Sequence, residues 1–100
     1  MRATFIHGAG DIRVADAPDP VIVHPADAVV RVVRACVCGS DLHPYHAMPP
    51  APGGRSIGHE FIGVVEAVGS EVRTLSVGDF VIAPFAVSCG TCEFCRAGLQ

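Results

Sequence analysis

The sequence predicts a mostly β domain, a small β-barrel or sandwich with short helices and a zinc-binding loop. Its apolar runs are short and rich in valine and isoleucine, and turn residues interrupt them: the 100-residue chain contains 11 glycines and 8 prolines. Half of the residues are hydrophobic, which is enough for one small core. Short strands separated by turn signals are typical of barrels and sandwiches.

The predicted strands follow one another as alternating or continuous apolar runs bounded by glycine, proline or aspartate. The first two pair as a hairpin across the turn Gly8-Ala9-Gly10-Asp11. The turn does not indicate a dinucleotide site, because Arg13 occupies the third glycine position of that motif and no βαβ unit surrounds it. The predicted strands are residues 2–6, 12–15, 28–36, 61–68, 72–77 and 80–83.

Between the third and fourth predicted strands, residues 41–58 are expected to form a long irregular loop. Ser40 and Asp41 are good N-cap residues, so a helix is expected to begin near them. Pro44 is expected to keep that helix short. Long loops in compact domains are usually functional or mobile.

The net charge and the cysteines limit which partners and which cellular compartment are expected for the protein. The net charge of -3 and the lack of a basic run give no reason to expect nucleic acid or an anionic membrane as a partner. Residues 1–7 lack the apolar core of a signal peptide, so a cytoplasmic location is expected. In a reducing compartment, the five cysteines are expected to act as thiolate ligands and not as disulfides.

A run of three cysteines, Cys89, Cys92 and Cys95, predicts a structural zinc loop. Such sites close at four ligands, so the fourth is expected beyond Gln100 or from another group. An iron–sulfur cluster fits less well, because Leu99 stands where the bacterial ferredoxin run has its fourth cysteine. A thioredoxin-like redox pair would not need the third cysteine.

A second constellation combines Cys38, His59 and Glu60, the residue types that hold a catalytic zinc with one open position. Spacing alone does not choose between Cys36 and Cys38, which share one face of an extended strand. Asp41 is expected to accept a hydrogen bond from the histidine and so to orient its ring. Two further residues have side chains able to move protons, Ser40 and His43.

These motifs occur in a recognisable order. They are Cys38-Gly39-Ser40-Asp41-Leu42-His43, Gly58-His59-Glu60-Phe61-Ile62-Gly63, Gly78-Asp79-Phe80-Val81 and the three-cysteine loop. Together they resemble the N-terminal catalytic domain of zinc-dependent alcohol dehydrogenases of the medium-chain dehydrogenase/reductase family. The resemblance covers nearly the whole chain and implies a GroES-like β-barrel.

The resemblance also implies roles for individual residues. Cys38, and not Cys36, matches a catalytic zinc ligand, because it directly precedes Gly-Ser-Asp. His59 matches the second zinc ligand, Glu60 the carboxylate beside the metal, and Asp41 the partner of the histidine ligand. Two members of a proton relay are matched by Ser40 and His43. Three of the four structural-zinc cysteines are matched by Cys89, Cys92 and Cys95.

The implied activity is oxidation of a small-molecule alcohol, or reduction of its aldehyde or ketone, with NAD or NADP. The Rossmann domain that binds this cofactor is absent from the chain. Residues 1–100 are therefore expected to be a partial N-terminal domain, inactive alone, of a parent enzyme that forms a dimer or tetramer. The alternatives are a stand-alone, non-catalytic zinc-binding β-barrel and a zinc-free reductase such as the quinone reductases. Cys38 and His59 together speak against the zinc-free reductase.

Overall fold

The computed structural model describes residues 1–99, which form two antiparallel three-stranded sheets and two short helices. The predicted mostly β fold is confirmed. Among residues 1–99 there is no helix of the length and apolarity that a membrane crossing requires. The elements are β1 (Arg2–Gly8), β2 (Asp11–Asp16), β3 (Ala28–Ala35), a 3-10 turn (Gly39–Asp41), α1 (Leu42–Ala47), β4 (Arg55–Ser56), β5 (Phe61–Val68), β6 (Phe80–Ala83) and α2 (Glu93–Arg96).

The first sheet has the order β2-β1-β4 and confirms the predicted hairpin. Ile6 lies opposite Ile12 in the pairing of β1 with β2, and the register shifts before Gly8. Gly10 has a φ of 71°, a left-handed conformation that suits glycine in this turn. The amide of Gly10 donates to the carbonyl of Tyr45 at 2.8 Å and so ties the hairpin to α1.

The second sheet has the order β3-β5-β6, with the buried side chain of Val65 on its central strand. β3 and β5 pair antiparallel, and Ala35 lies opposite Phe61 at the end where β3 stops and β5 begins. The chain that leaves β3 therefore starts beside the chain that enters β5. This pairing places the segment after Ala35 close to His59 and Glu60, although more than twenty residues separate them in sequence.

The hydrophobic core of residues 1–99 is small. Its buried apolar side chains are those of Ile6, Met48 and Val65. Many large apolar side chains remain exposed, among them Phe80 and Ile82 of β6. Local pairing within each sheet therefore organises the described chain more than a deep shared core does.

One predicted strand is wrong: residues 72–77 are irregular, with one bend at Thr74 and a turn that begins at Val77. Their polar groups are engaged in local bonds. The amide of Val72 donates to the carbonyl of Gly69 at 3.2 Å, and the amide of Ser76 donates to the Asp79 carboxylate at 2.8 Å. Side-chain and turn bonds of this kind compete with a strand ladder.

The expected loop 41–58 is more structured than predicted. Pro44 does not end the helix that begins after Asp41, because it lies in the first turn of α1, where a missing amide costs no helical hydrogen bond. The helix is nevertheless short, as expected, and ends at Ala47. Further along, the two-residue strand β4 pairs with β1.

Gly63 of β5 lies so close to β3 that a larger residue there tests the pairing of the two strands. A methyl group at Gly63 would lie 2.6 Å from the carbonyl oxygen of Arg31 and 2.6 Å from Cγ1 of Val30. We expect Gly63→Ala to lower the free energy of unfolding by about 1–3 kcal/mol, because backbone must shift to admit the methyl group. Urea unfolding followed by circular dichroism measures the loss. Gly53→Ala is the matched control, since no atom lies within 4 Å of its added methyl group; equal midpoints for both variants would contradict the prediction.

Candidate metal centre

Three metal-ligating side chains from separate positions meet beside the β3–β5 end. Ligand atoms of Cys38, His59 and Glu60 all lie within 4.8 Å of one another, and all three residues are half-buried. Cys36 is not part of this set. A thiolate, an imidazole and a carboxylate are the donor types found at zinc, so the chemistry of the donor set fits that ion.

Asp41 connects the two chain segments that supply these donors. Its side chain is buried, with Oδ2 accepting a 2.9 Å hydrogen bond from the amide of Cys38 and Oδ1 lying 3.5 Å from Nδ1 of His59. This is the place that the sequence predicted for a partner of the histidine. One carboxylate thus fixes both the backbone at Cys38 and the orientation of the His59 ring.

Of the two predicted proton carriers, the structure brings only one to the donor set. Oγ of Ser40 lies 3.3 Å from Nε2 of His59. His43 is exposed on α1, and no hydrogen bond of the described residues joins it to Ser40.

The surroundings of the donor set favour the ionised forms of Cys38 and His59. Hydrogen bonds from the Ser40 hydroxyl and amide, and from the His59 ring, lower the pKa of the Cys38 thiol. The hydrogen bond to Cys38, with the nearby Asp41 charge, raises the pKa of His59. A thiolate is the form of cysteine that binds metals, so this environment prepares Cys38 as a ligand.

Cys36 has a different partner from Cys38. Its Sγ donates to Oε2 of Glu60 at 3.2 Å, and its backbone amide donates to the carbonyl of Glu60 at 3.2 Å. The Glu60 carboxylate raises the pKa of the Cys36 thiol, which opposes the thiolate form. The structure therefore separates two cysteines that the sequence spacing left equivalent.

An aromatic neighbour of His59 was missed by the sequence analysis. The ring of Phe85 meets the His59 ring edge-on, with centroids 5.2 Å apart and planes at 74°. Phe85 follows the proline that ends β6, in a segment without a motif of its own. Only the pairing of β6 with β5 indicates this contact, because it returns the chain to the end of the sheet where His59 lies.

The three-cysteine loop forms a second cluster, in which Cys89, Cys92 and Cys95 have ligand atoms within 4.8 Å of one another. Sγ of Cys95 lies 3.4 Å from that of Cys92 and 3.9 Å from that of Cys89. A zinc–sulfur bond of about 2.3 Å implies a tetrahedron with sulfurs about 3.8 Å apart, so the three sulfurs fit zinc. None of the five cysteines forms a disulfide.

The cysteine loop is built locally. Gly90 has a φ of 71°, which lets the chain turn between the first two cysteines. The amide of Cys92 donates to Sγ of Cys89 at 3.3 Å, and the hydroxyl of Thr91 donates to the same sulfur at 3.6 Å. Hydrogen bonds from Thr91, followed by those from Cys92, lower the pKa of Cys89 to about 6.

Known proteins resemble the chain along its whole length. Zinc-type alcohol dehydrogenase B of Aspergillus flavus is 41% identical over 100 residues, which are all of this chain and 23% of that protein. The uncharacterized zinc-type alcohol dehydrogenase-like protein AdhB of Bacillus subtilis is 43% identical over 101 residues, covering all of this chain and 27% of that protein. The chain thus spans about a quarter of the length of these relatives.

Solved structures show the same likeness. The alcohol dehydrogenase TADH from Thermus sp. ATN1 superposes with a TM-score of 0.86 and 44% identity, covering 99% of this chain and 29% of that one. A putative zinc-binding dehydrogenase from Sinorhizobium meliloti 1021, bound to NADP, superposes with a TM-score of 0.65 and 33% identity, covering 97% of this chain and 28% of that one.

The model of a domain family, the alcohol dehydrogenase GroES-like domain, matches residues 24–100. The match includes every residue of both candidate metal-binding clusters and the sheet β3-β5-β6 that positions the first of them. With relatives at 41% and 43% identity and a superposable fold, the chain belongs to the alcohol dehydrogenase GroES-like domain family.

Proposed function

We propose that residues 1–100 are the N-terminal part of a zinc-dependent alcohol dehydrogenase that uses NAD or NADP and acts on a small-molecule alcohol or its aldehyde or ketone. The observation that supports this most directly is the donor set of Cys38, His59 and Glu60, in a chain similar to zinc-type alcohol dehydrogenases. The relatives are about four times longer, so the cofactor domain and remaining ligands belong to the proposed parent enzyme. Residues 1–100 alone are then expected to be inactive.

The proposed chemistry divides between bound groups and the residues of this chain. When bound, zinc acts as a Lewis acid toward the substrate oxygen and the nicotinamide accepts or returns hydride. Cys38 and His59 would hold the metal, and Asp41 keeps the His59 ring oriented. Ser40 lies beside the donor set and can accept a proton from a substrate hydroxyl while donating its own toward solvent. Exposed His43 is the proposed later carrier of that proton.

We also propose that the loop of Cys89, Cys92 and Cys95 holds a structural zinc, with a fourth ligand outside the described residues. The sulfur spacing and the hydrogen bonds that favour the Cys89 thiolate support this. We propose a cytoplasmic location for the protein, because thiolate ligands persist in a reducing compartment. A dimeric or tetrameric parent is proposed on the family resemblance alone.

The proposed catalytic zinc gives the first functional prediction. In the protein encoded by the complete gene, we expect His59→Ala to lower zinc content by about one ion per chain and kcat/KM for alcohol oxidation by about a hundredfold or more. Metal analysis and the appearance of NADH or NADPH measure the two effects. His24→Ala is the control, because His24 is an exposed residue of the turn before β3. Full zinc content and activity in the His59 variant would contradict the proposed function.

Ser40 gives a separate prediction about proton transfer. Ser40→Ala should lower kcat by about a hundredfold, since positioned acid–base groups contribute at least that much, and should leave zinc content unchanged. Ser40→Thr keeps a hydroxyl and should retain most of the activity. A rate–pH profile with a solvent isotope effect distinguishes lost proton transfer from misfolding. Equal rates for the alanine and threonine variants would exclude Ser40 from the relay.

The cysteine loop gives a pH prediction for metal-stripped protein. Because the pKa of Cys89 is lowered to about 6, its thiolate predominates above that pH and is lost as the pH falls through it. Cys89 should therefore react with iodoacetamide at neutral pH well before Cys36, whose thiol pKa is raised. Peptide mass spectrometry follows both sites. Thr91→Val keeps the backbone donor but removes the hydroxyl donor to Sγ of Cys89, and should move half-maximal reaction to higher pH; an unchanged profile would exclude a contribution from the hydroxyl.

A further inference from the structure

The contact between Cys36 and Glu60 has no part in the proposed chemistry so far. Sγ of Cys36 lies 3.2 Å from Oε2 of Glu60, a good distance for a thiol donor and a carboxylate acceptor. Their backbones are also joined, since the amide of Cys36 donates to the carbonyl of Glu60 at 3.2 Å. The two residues are therefore held together by main chain as well as by side chain.

Glu60 faces two alternatives. One is the donor set, where its carboxylate lies within 4.8 Å of the ligand atoms of Cys38 and His59. The other is Cys36, which bonds one of its two oxygens. The two oxygens of a carboxylate move as one rigid group, so a thiol that holds Oε2 on one side restrains how far the group can turn toward a metal on the other.

Cys36 and Glu60 both line an open apolar pocket of about 390 Å³, whose other walls include Phe61, Ile82 and Pro84. Cys36 is exposed, so the backbone hydrogen bond to Glu60, and not exclusion of water, keeps the two side chains together. Cys36 itself does not belong to the set of mutually close donors, so it acts on that set only through Glu60.

We propose that Cys36 is a positioning residue: its thiol hydrogen bond holds the Glu60 carboxylate beside the metal site and so keeps one coordination position free for the substrate oxygen. This inference rests on the proposed function. Without the thiol, Glu60 would spend more time at that position and compete with substrate. The apparent affinity for any ligand of the open position is then the intrinsic affinity multiplied by the fraction of sites that remain open.

The test uses the protein encoded by the complete gene with cobalt(II) in place of zinc, and azide as a probe of an open metal position. Azide is titrated against the visible spectrum for native protein and for the Cys36→Ala and Cys36→Ser variants. We expect the alanine variant to bind azide about threefold to tenfold more weakly, the size of one typical intramolecular hydrogen bond. Serine restores a donor and should restore the affinity. In the zinc enzyme, KM should rise by a similar factor in the alanine variant while kcat changes little.

A double-mutant cycle assigns the effect to Glu60. On a Glu60→Gln background, the further change Cys36→Ala should leave azide affinity unaltered, because the carboxylate that it would release is absent. Equal azide affinity in native and Cys36→Ala proteins, or an undiminished effect on the glutamine background, would overturn the positioning role alone. Loss of thiolate-to-cobalt absorption in Cys36→Ser would overturn it by showing that Cys36 is a ligand. A native protein with no azide-sensitive cobalt spectrum would overturn the proposed function together with this inference.

Discussion

The arrangement of the first cluster depends on one buried carboxylate. Asp41 uses one oxygen to fix the amide of Cys38 and turns the other toward the ring of His59, so it joins two segments that lie far apart in sequence. A carboxylate can satisfy both partners because it has two acceptor oxygens in a fixed plane. Burying that charge is costly unless its oxygens are occupied, so Asp41 stabilises the site only while both partners are in place. The positions of Cys38 and His59 and the stability of the 3-10 turn Gly39–Asp41 therefore depend on each other.

The two clusters illustrate two ways of building a metal site. The cysteine loop is local: seven residues from Cys89 to Cys95 carry the three sulfurs, a glycine that permits the turn, and the amide and hydroxyl that favour a thiolate. The other cluster requires the β3–β5 pairing, because its donors come from the chain leaving β3 and the chain entering β5. A sheet fixes such an end rigidly while the segments beyond it keep their own conformations. The donor segments are therefore ordered where they meet the sheet and can take irregular conformations beyond it.

Prediction of the fold succeeded where hydrophobic pattern and turn chemistry agreed. The runs 61–68 and 80–83 are strands with those same bounds, and the first hairpin forms across its glycine turn. It failed at 72–77, where alternating apolar residues are too few to outweigh local bonds such as that of Ser76 to Asp79. It also gave Pro44 too much weight, because proline breaks a helix only beyond its first turn. Neither error concerns the segments that carry the metal-ligating residues.

The sequence by itself determined the mostly β class, the cysteine loop and the short list of residues that could bind metal, because composition, turn chemistry and C-x-x-C spacing are local properties. Only the tertiary structure decided which of these residues meet. It separated Cys38 from Cys36, placed Asp41 between Cys38 and His59, brought Phe85 against His59, and left His43 without a direct bond to Ser40. The physical reason is that strand register and a buried carboxylate set these distances, and both depend on contacts between residues distant in sequence: Ala35 pairs with Phe61, and Asp41 lies beside His59.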